Sequence, residues 1–188
     1  MNICLRNMMK NNYLIHEKYG WTLTKRILGR YGIKDKSGNL ICPIKYITIF
    51  PFYAGLAIVK YKENIFSKVK WGVIDENFYL TLFSEPYEEV FVLTHKLLAV
   101  KLNGRWGIIH RSGKFICKPK YSFCPHEFCN GFSTVQIGCY YAFINEDGIQ
   151  ICKAKYFKVR AFNERGIAEV CDEYGWKKLN KKGAEIKE

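Results

Sequence analysis

Trp71-Gly72-Val73-Ile74-Asp75 is followed 35 residues later by Trp106-Gly107-Ile108-Ile109-His110, and after another 35 by Tyr141-Ala142-Phe143-Ile144-Asn145. Outward from these three, the series extends back 40 residues to Tyr31-Gly32 and forward 35 to Trp176-Lys177. A fixed interval of this size marks a tandem array, whose copies stack because none can bury its apolar face alone. Tyr31, Trp71, Trp106, Tyr141 and Trp176 are therefore read as structural anchors of five successive copies.

Other landmarks keep step with the anchors. Gly38, Gly113, Gly148 and Gly183 each stand seven residues after one, with Phe78 as the exception. Tyr46, Tyr121 and Tyr156 stand 15 residues after theirs, and Tyr87 is displaced by one. Isoleucine-cysteine pairs recur at Ile41-Cys42, Ile116-Cys117 and Ile151-Cys152. Short apolar runs precede the anchors: Gly55 to Val59, Lys96 to Val100, Gly131 to Val135 and Gly166 to Val170. The first of these is pushed back by an insertion around Glu63 to Ser67.

Within each copy the apolar pattern follows a period near two, so Ala57 and Val59, Ser133 and Val135, and Ala168 and Val170 are expected on one face of a strand. Asn103-Gly104 predicts a tight hairpin into the anchor strand, because both residues tolerate positive φ. Arg111-Ser112-Gly113 and Glu146-Asp147-Gly148 predict short loops out of it, each ending in a left-handed glycine. A third strand follows, for example Lys114 to Cys117. The expected architecture is all-β: about five three-stranded antiparallel meanders in an open, solenoid-like stack, with a closed five-unit propeller-like ring as the alternative. An N-terminal arm at 1–18 precedes the β-repeat domain at 19–188. The anchor ring is expected to pack between copies, with its glycine relieving crowding beside it.

These residues resemble the Trp-Gly (WG) repeat family of bacterial proteins, whose units run W-G-x-I-D/N, a glycine turn, I-x-P-x-x-Y and G-L-A-x-V. Trp71 to Asp75 matches the opening fully, Tyr141 to Asn145 loosely, and Gly55-Leu56-Ala57-Ile58-Val59 matches the closing strand. Departures are Lys34 for isoleucine, His110 for the acid and Lys177 for glycine. The likeness spans about residues 20–186. It implies a binding or scaffold role and brings no common catalytic residues.

The 188 residues are 48% hydrophobic and 16% aromatic, which fits a buried core rather than disorder. The uncharged stretch Tyr46 to Val59 contains Pro51 and Gly55 and is too short to span a membrane as a helix. Met1 to Tyr13 has no apolar block of signal-peptide length. A cytoplasmic protein without a membrane partner is the expectation. Of eight cysteines, Cys42, Cys117 and Cys152 share one position in the period, so reduced thiols acting as small hydrophobes are expected.

The net charge is +13, and residues 1–70 hold 13 lysines and arginines against three acids. Lys25, Arg26 and Arg30 on the first hairpin, with Lys60, Lys62, Lys68 and Lys70 on the extended second one, are expected to converge into a binding flank. Tyr31, Tyr61, Phe66 and Trp71 lie among them and offer rings on which bases stack. Asp35, Asp75, His110, Asn145 and Asn180 share one position before a turn, and a short polar side chain there bonds the turn's own amides. Cys124-Pro125-His126-Glu127-Phe128-Cys129 holds soft ligands, with Cys139 or Cys171 as a fourth, but lacks zinc-finger spacing. No catalytic residue, metal site or cofactor is assigned. The expected function is a non-enzymatic binding or scaffold module that engages a protein through its loops and basic flank. A nucleic-acid-binding protein is the alternative.

Overall fold

A computed structural model describes residues 14–25, 29–125 and 128–186, all strand, turn or irregular chain. The chain divides after Pro86 into two compact bodies. Arg26, His126 and Glu127 lie outside the described residues.

The first body is one antiparallel sheet of seven strands in sequence order: β1 (Leu14–His16), β2 (Trp21–Lys25), β3 (Tyr31–Lys34), β4 (Leu40–Ile49), β5 (Leu56–Tyr61), β6 (Lys70–Asp75) and β7 (Leu80–Leu82). The sheet begins at Leu14, inside the stretch read as an arm. The second body holds three sheets. One orders β8 (Glu89–Val92), β9 (Leu97–Leu102), β10 (Arg105–His110) and β11 (Phe115–Tyr121) as a meander. The next pairs β12 (Phe132–Ile137) with β13 (Tyr140–Asn145), and the last joins β14 (Lys158–Val159), β15 (Ala168–Asp172) and β16 (Gly175–Leu179). Every sheet is open, with two edge strands.

The expected boundary between the first two copies is absent. β4 runs ten residues, pairing with β3 through Cys42 and Tyr46 and then with β5 through Tyr46, Thr48 and Ile49. The segment read as a loose crossover is thus strand, and two copies share one sheet. Its register shift near Tyr46 lets one strand serve both neighbours. The alternation expected of Ser133/Val135 and Ala168/Val170 holds in β12 and β15. In β5 and β9, by contrast, Leu56 to Val59 and Leu97 to Val100 are buried on both faces.

The glycine after the anchor has a steric reason different from the expected one. A Cβ on Gly32, Gly72 or Gly107 would stand 2.6, 2.5 or 2.8 Å from the carbonyl oxygen of Cys42, Thr81 or Cys117. The crowding comes from the backbone of the third strand, not from the anchor ring. Where alanine or lysine replaces the glycine, that third strand shrinks. Opposite Ala142 only the isolated bridges Tyr141–Tyr156 and Ile144–Gln150 remain, and beyond Lys177 only Leu179–Glu185.

The five turns after the anchor strands are built alike. Amides of Ser37 and Asn39 donate to Asp35 Oδ1, and those of Asn77 and Tyr79 to Asp75 Oδ1. Asn145 Oδ1 accepts from Asp147 and Ile149, Asn180 Oδ1 from Lys182 and Ala184, and His110 Nδ1 from Ser112. Phe78 occupies the left-handed position at φ 62°, where the other four turns have glycine.

Candidate binding surface

Strand register arranges the predicted cations as a strip. Lys25 faces Tyr31, Tyr31 faces Tyr46, Tyr46 faces Tyr61, and Tyr61 faces Lys70 across five successive strands. At roughly 4.8 Å per strand, Lys25 and Lys70 stand about 19 Å apart. Lys25 and Lys70 therefore do not share a single cluster. The structure gathers Arg30, Lys45 and Lys62 in the middle of the strip. Arg30 Nη1 donates to the Lys45 carbonyl at 3.0 Å and to the Lys62 carbonyl at 3.1 Å. Arg30 is thus a brace between two hairpins as well as a charge. Lys45 was missed in the sequence because it sits beside the core Tyr46, in the segment taken for a crossover.

The insertion between β5 and β6 forms the outer tip of this surface. Asn64 Oδ1 accepts from the amides of Phe66 and Ser67 at 3.0 and 2.9 Å, which fixes the bend. The bend turns Phe66 outward, 91% exposed, beside exposed Ile65 and Val69. Lys62 and Lys68 flank them in the chain, and Lys60 and Lys70 follow on the strands. An apolar tip held in solvent beside lysines is the most conspicuous surface feature of the first body.

The anchor rings are only partly internal. Trp106 is buried, Tyr31, Trp71 and Tyr141 are half-buried, and Trp176 is 52% exposed. The sealed tyrosines are Tyr46, Tyr121 and Tyr156, with Tyr87 nearly so. Anchors instead carry covers. Lys25, Lys60 and Lys101 place their ammonium groups 5.7, 4.3 and 5.8 Å from the Tyr31, Trp71 and Trp106 ring centres. A second cover comes from the residue four after a core tyrosine. Phe50 stacks on Trp71 at 6.2 Å, Phe91 lies against Trp106 at 5.6 Å, and Arg160 sits over Trp176 at 4.9 Å. Reading the period at that offset shows Phe50, Phe91, Pro125 and Arg160, but their chemistry differs too much to advertise a shared role.

Burial raises the phenol pKa of Tyr46, Tyr121 and Tyr156, with the neighbouring Cys42 and Cys117 adding to the first two. Cys117 Sγ donates to Tyr121 Oη at 3.4 Å. The seven described cysteines are free thiols, and burial pushes Cys124 up to about 11. Among the described residues no cluster of three metal-ligating side chains forms, and no helix is long and apolar enough to cross a membrane.

Residues 31–64 and 106–138 match the WG containing repeat. Two segments of the chain thus carry WG-type repeats. The two matched WG repeats are the first and third copies, where β3–β4 and β10–β11 pair beside an anchor followed by glycine. No curated protein matches the chain. Among solved structures it is similar to Kluyveromyces lactis Hsv2, at 11% identity and a TM-score of 0.43 over 95% of this chain and 63% of that one. A second structure, Kluyveromyces lactis Hsv2 with complete loop 6CD, gives 10%, 0.41, 95% and 62%. The chain thus spans less than two thirds of the length of either.

Proposed function

We propose that this WG-repeat protein is a non-enzymatic binding module that grips an acidic protein partner with the Phe66 hairpin and the adjoining lysine strip. Its five copies are variants of one three-stranded meander. The observation that carries the proposal is the fixed exposure of Ile65 and Phe66 beside Lys62 and Lys68. A buried aromatic anchor surrounded by charge is the common composition of a protein-binding hot spot, and complementary charge speeds association. The side chains suited to acid–base work at the turn position are occupied by their own turns.

Nucleic acid is the second reading, favoured by the length of the strip and its lysines. Base stacking fits poorly with two of the rings: Phe50 stacks on Trp71 and Lys60 lies over it, and Lys25 covers Tyr31. Phosphate contacts and the exposed Phe66 ring would remain, with affinity falling steeply as salt rises. Affinity capture with wild type and with Phe66→Ser separates the readings. A protein partner is lost with Phe66→Ser and survives nuclease. Retention of nucleic acid indifferent to Phe66, or sedimentation with anionic vesicles in place of a protein, contradicts the proposal.

A further inference from the structure

We propose a second, separate docking site in the second body: a groove across Tyr141, between Phe123 and Trp176, that receives an aromatic side chain borne by an acidic, extended segment of a partner protein. The argument comes from the chain's own copies. Trp71 and Trp106 each have a phenylalanine, placed four residues after a core tyrosine, against the ring and a lysine of the opposing strand over it. At Tyr141 the corresponding residues are Pro125 and Gln136, neither of which supplies an aromatic ring or a charge.

Space opens where those covers are lost. A cavity of about 500 Å³ is lined by Phe123, Cys124, Pro125, Thr134, Val135, Gln136 and Tyr141. A second of about 500 Å³ shares Thr134 and Tyr141 and continues past Phe157, Lys158, Val159 and Arg160 to Trp176. Each is large enough for a bulky side chain with its backbone. Phe123, Phe157 and Trp176 stand exposed along the groove, the arrangement that aromatic-lined peptide grooves use.

Charge selects the sequence around the incoming ring. Among the described lining residues the charged ones are Lys158 and Arg160, both cationic. Arg160 already pairs with Glu169 and covers Trp176, so Lys158 is the cation left to meet a carboxylate. The partner therefore presents to Tyr141 the aromatic ring that Phe50 and Phe91 supply internally, followed by an acid within reach of Lys158.

The test is amide chemical-shift mapping on the full chain with the peptide acetyl-Asp-Asp-Trp-Asp-Asp-amide and its alanine-for-tryptophan counterpart. Thr134→Trp, which fills the groove from an outward position on β12, and Lys158→Glu are the variants. Saturable shifts at Thr134, Tyr141, Lys158 and Trp176 are expected, with affinity at least about tenfold weaker for the alanine peptide and for both variants. Equal affinity of the two peptides, binding indifferent to Thr134→Trp, or shifts confined to Lys60 through Lys70 would overturn the proposal. The last outcome leaves the Phe66 surface intact, so the two sites fail independently.

Discussion

Trp106 and Tyr121 face each other across β10 and β11, and the tyrosine is the more deeply enclosed of the two. The same facing pair recurs as Tyr31 with Tyr46 and Tyr141 with Tyr156. In the latter two the first ring borders solvent and the second fills the core. Tyr121→Ala is expected to cost about 3–5 kcal/mol through lost burial and the cavity left behind. Trp176→Ala, losing a half-exposed ring and one contact with Arg160, is expected to cost about 1 kcal/mol or less. Urea denaturation of both variants checks the order.

The glycine after Trp106 is expected to be more sensitive than its exposure suggests. A Cβ there would stand 2.8 Å from the Cys117 carbonyl and the Pro119 nitrogen. Gly107→Ala should destabilise by about 1–3 kcal/mol, as overpacking does. Amides of β11 should lose hydrogen-exchange protection before those of β9. Protection lost uniformly through the second body would contradict the steric account.

Alkaline pH is expected to loosen the core. Tyr46, Tyr121 and Tyr156 have folded-state phenol pKa values above the ordinary value near 10, because burial disfavours the phenolate. Above that pH the unfolded chain releases protons that the folded chain keeps, so the unfolded state binds fewer and stability falls as pH rises. Stability is fully present below the unfolded pKa. Cys42, Cys124 and Cys152, also raised by burial, begin the decline somewhat lower. Denaturation midpoints from about pH 8 to about pH 11 should fall, and Tyr121→Phe should flatten the curve.

Much of this was legible because the repeat position, not the individual residue, carries the signal. Asp35, Asp75, His110, Asn145 and Asn180 could be read as turn formers from their common place alone, and each bonds its own turn. The continuity of β4 was hidden, since Pro43 and the run to Ile49 resemble a loop as readily as an edge-to-centre strand. Which aromatic is sealed was also hidden. Periodicity marks Tyr31 and Tyr46 equally, and only packing decides which ring meets solvent. The convergence of Lys25 through Lys70 was overstated, because hairpins on successive strands are separated by strand spacing.

The central claim is that the Phe66 hairpin holds a protein partner, and capture from nuclease-treated host extract with wild type, Phe66→Ser and Lys62→Glu/Lys68→Glu tests it most directly. Phe66 and Lys68 are exposed, and half-buried Lys62 holds Arg30 through its backbone carbonyl, which substitution keeps, so all three chains should melt alike. The account predicts one protein retained by wild type and absent from both variants, with its release promoted by salt. The same protein retained by all three, or nothing retained once nuclease is added, would contradict it.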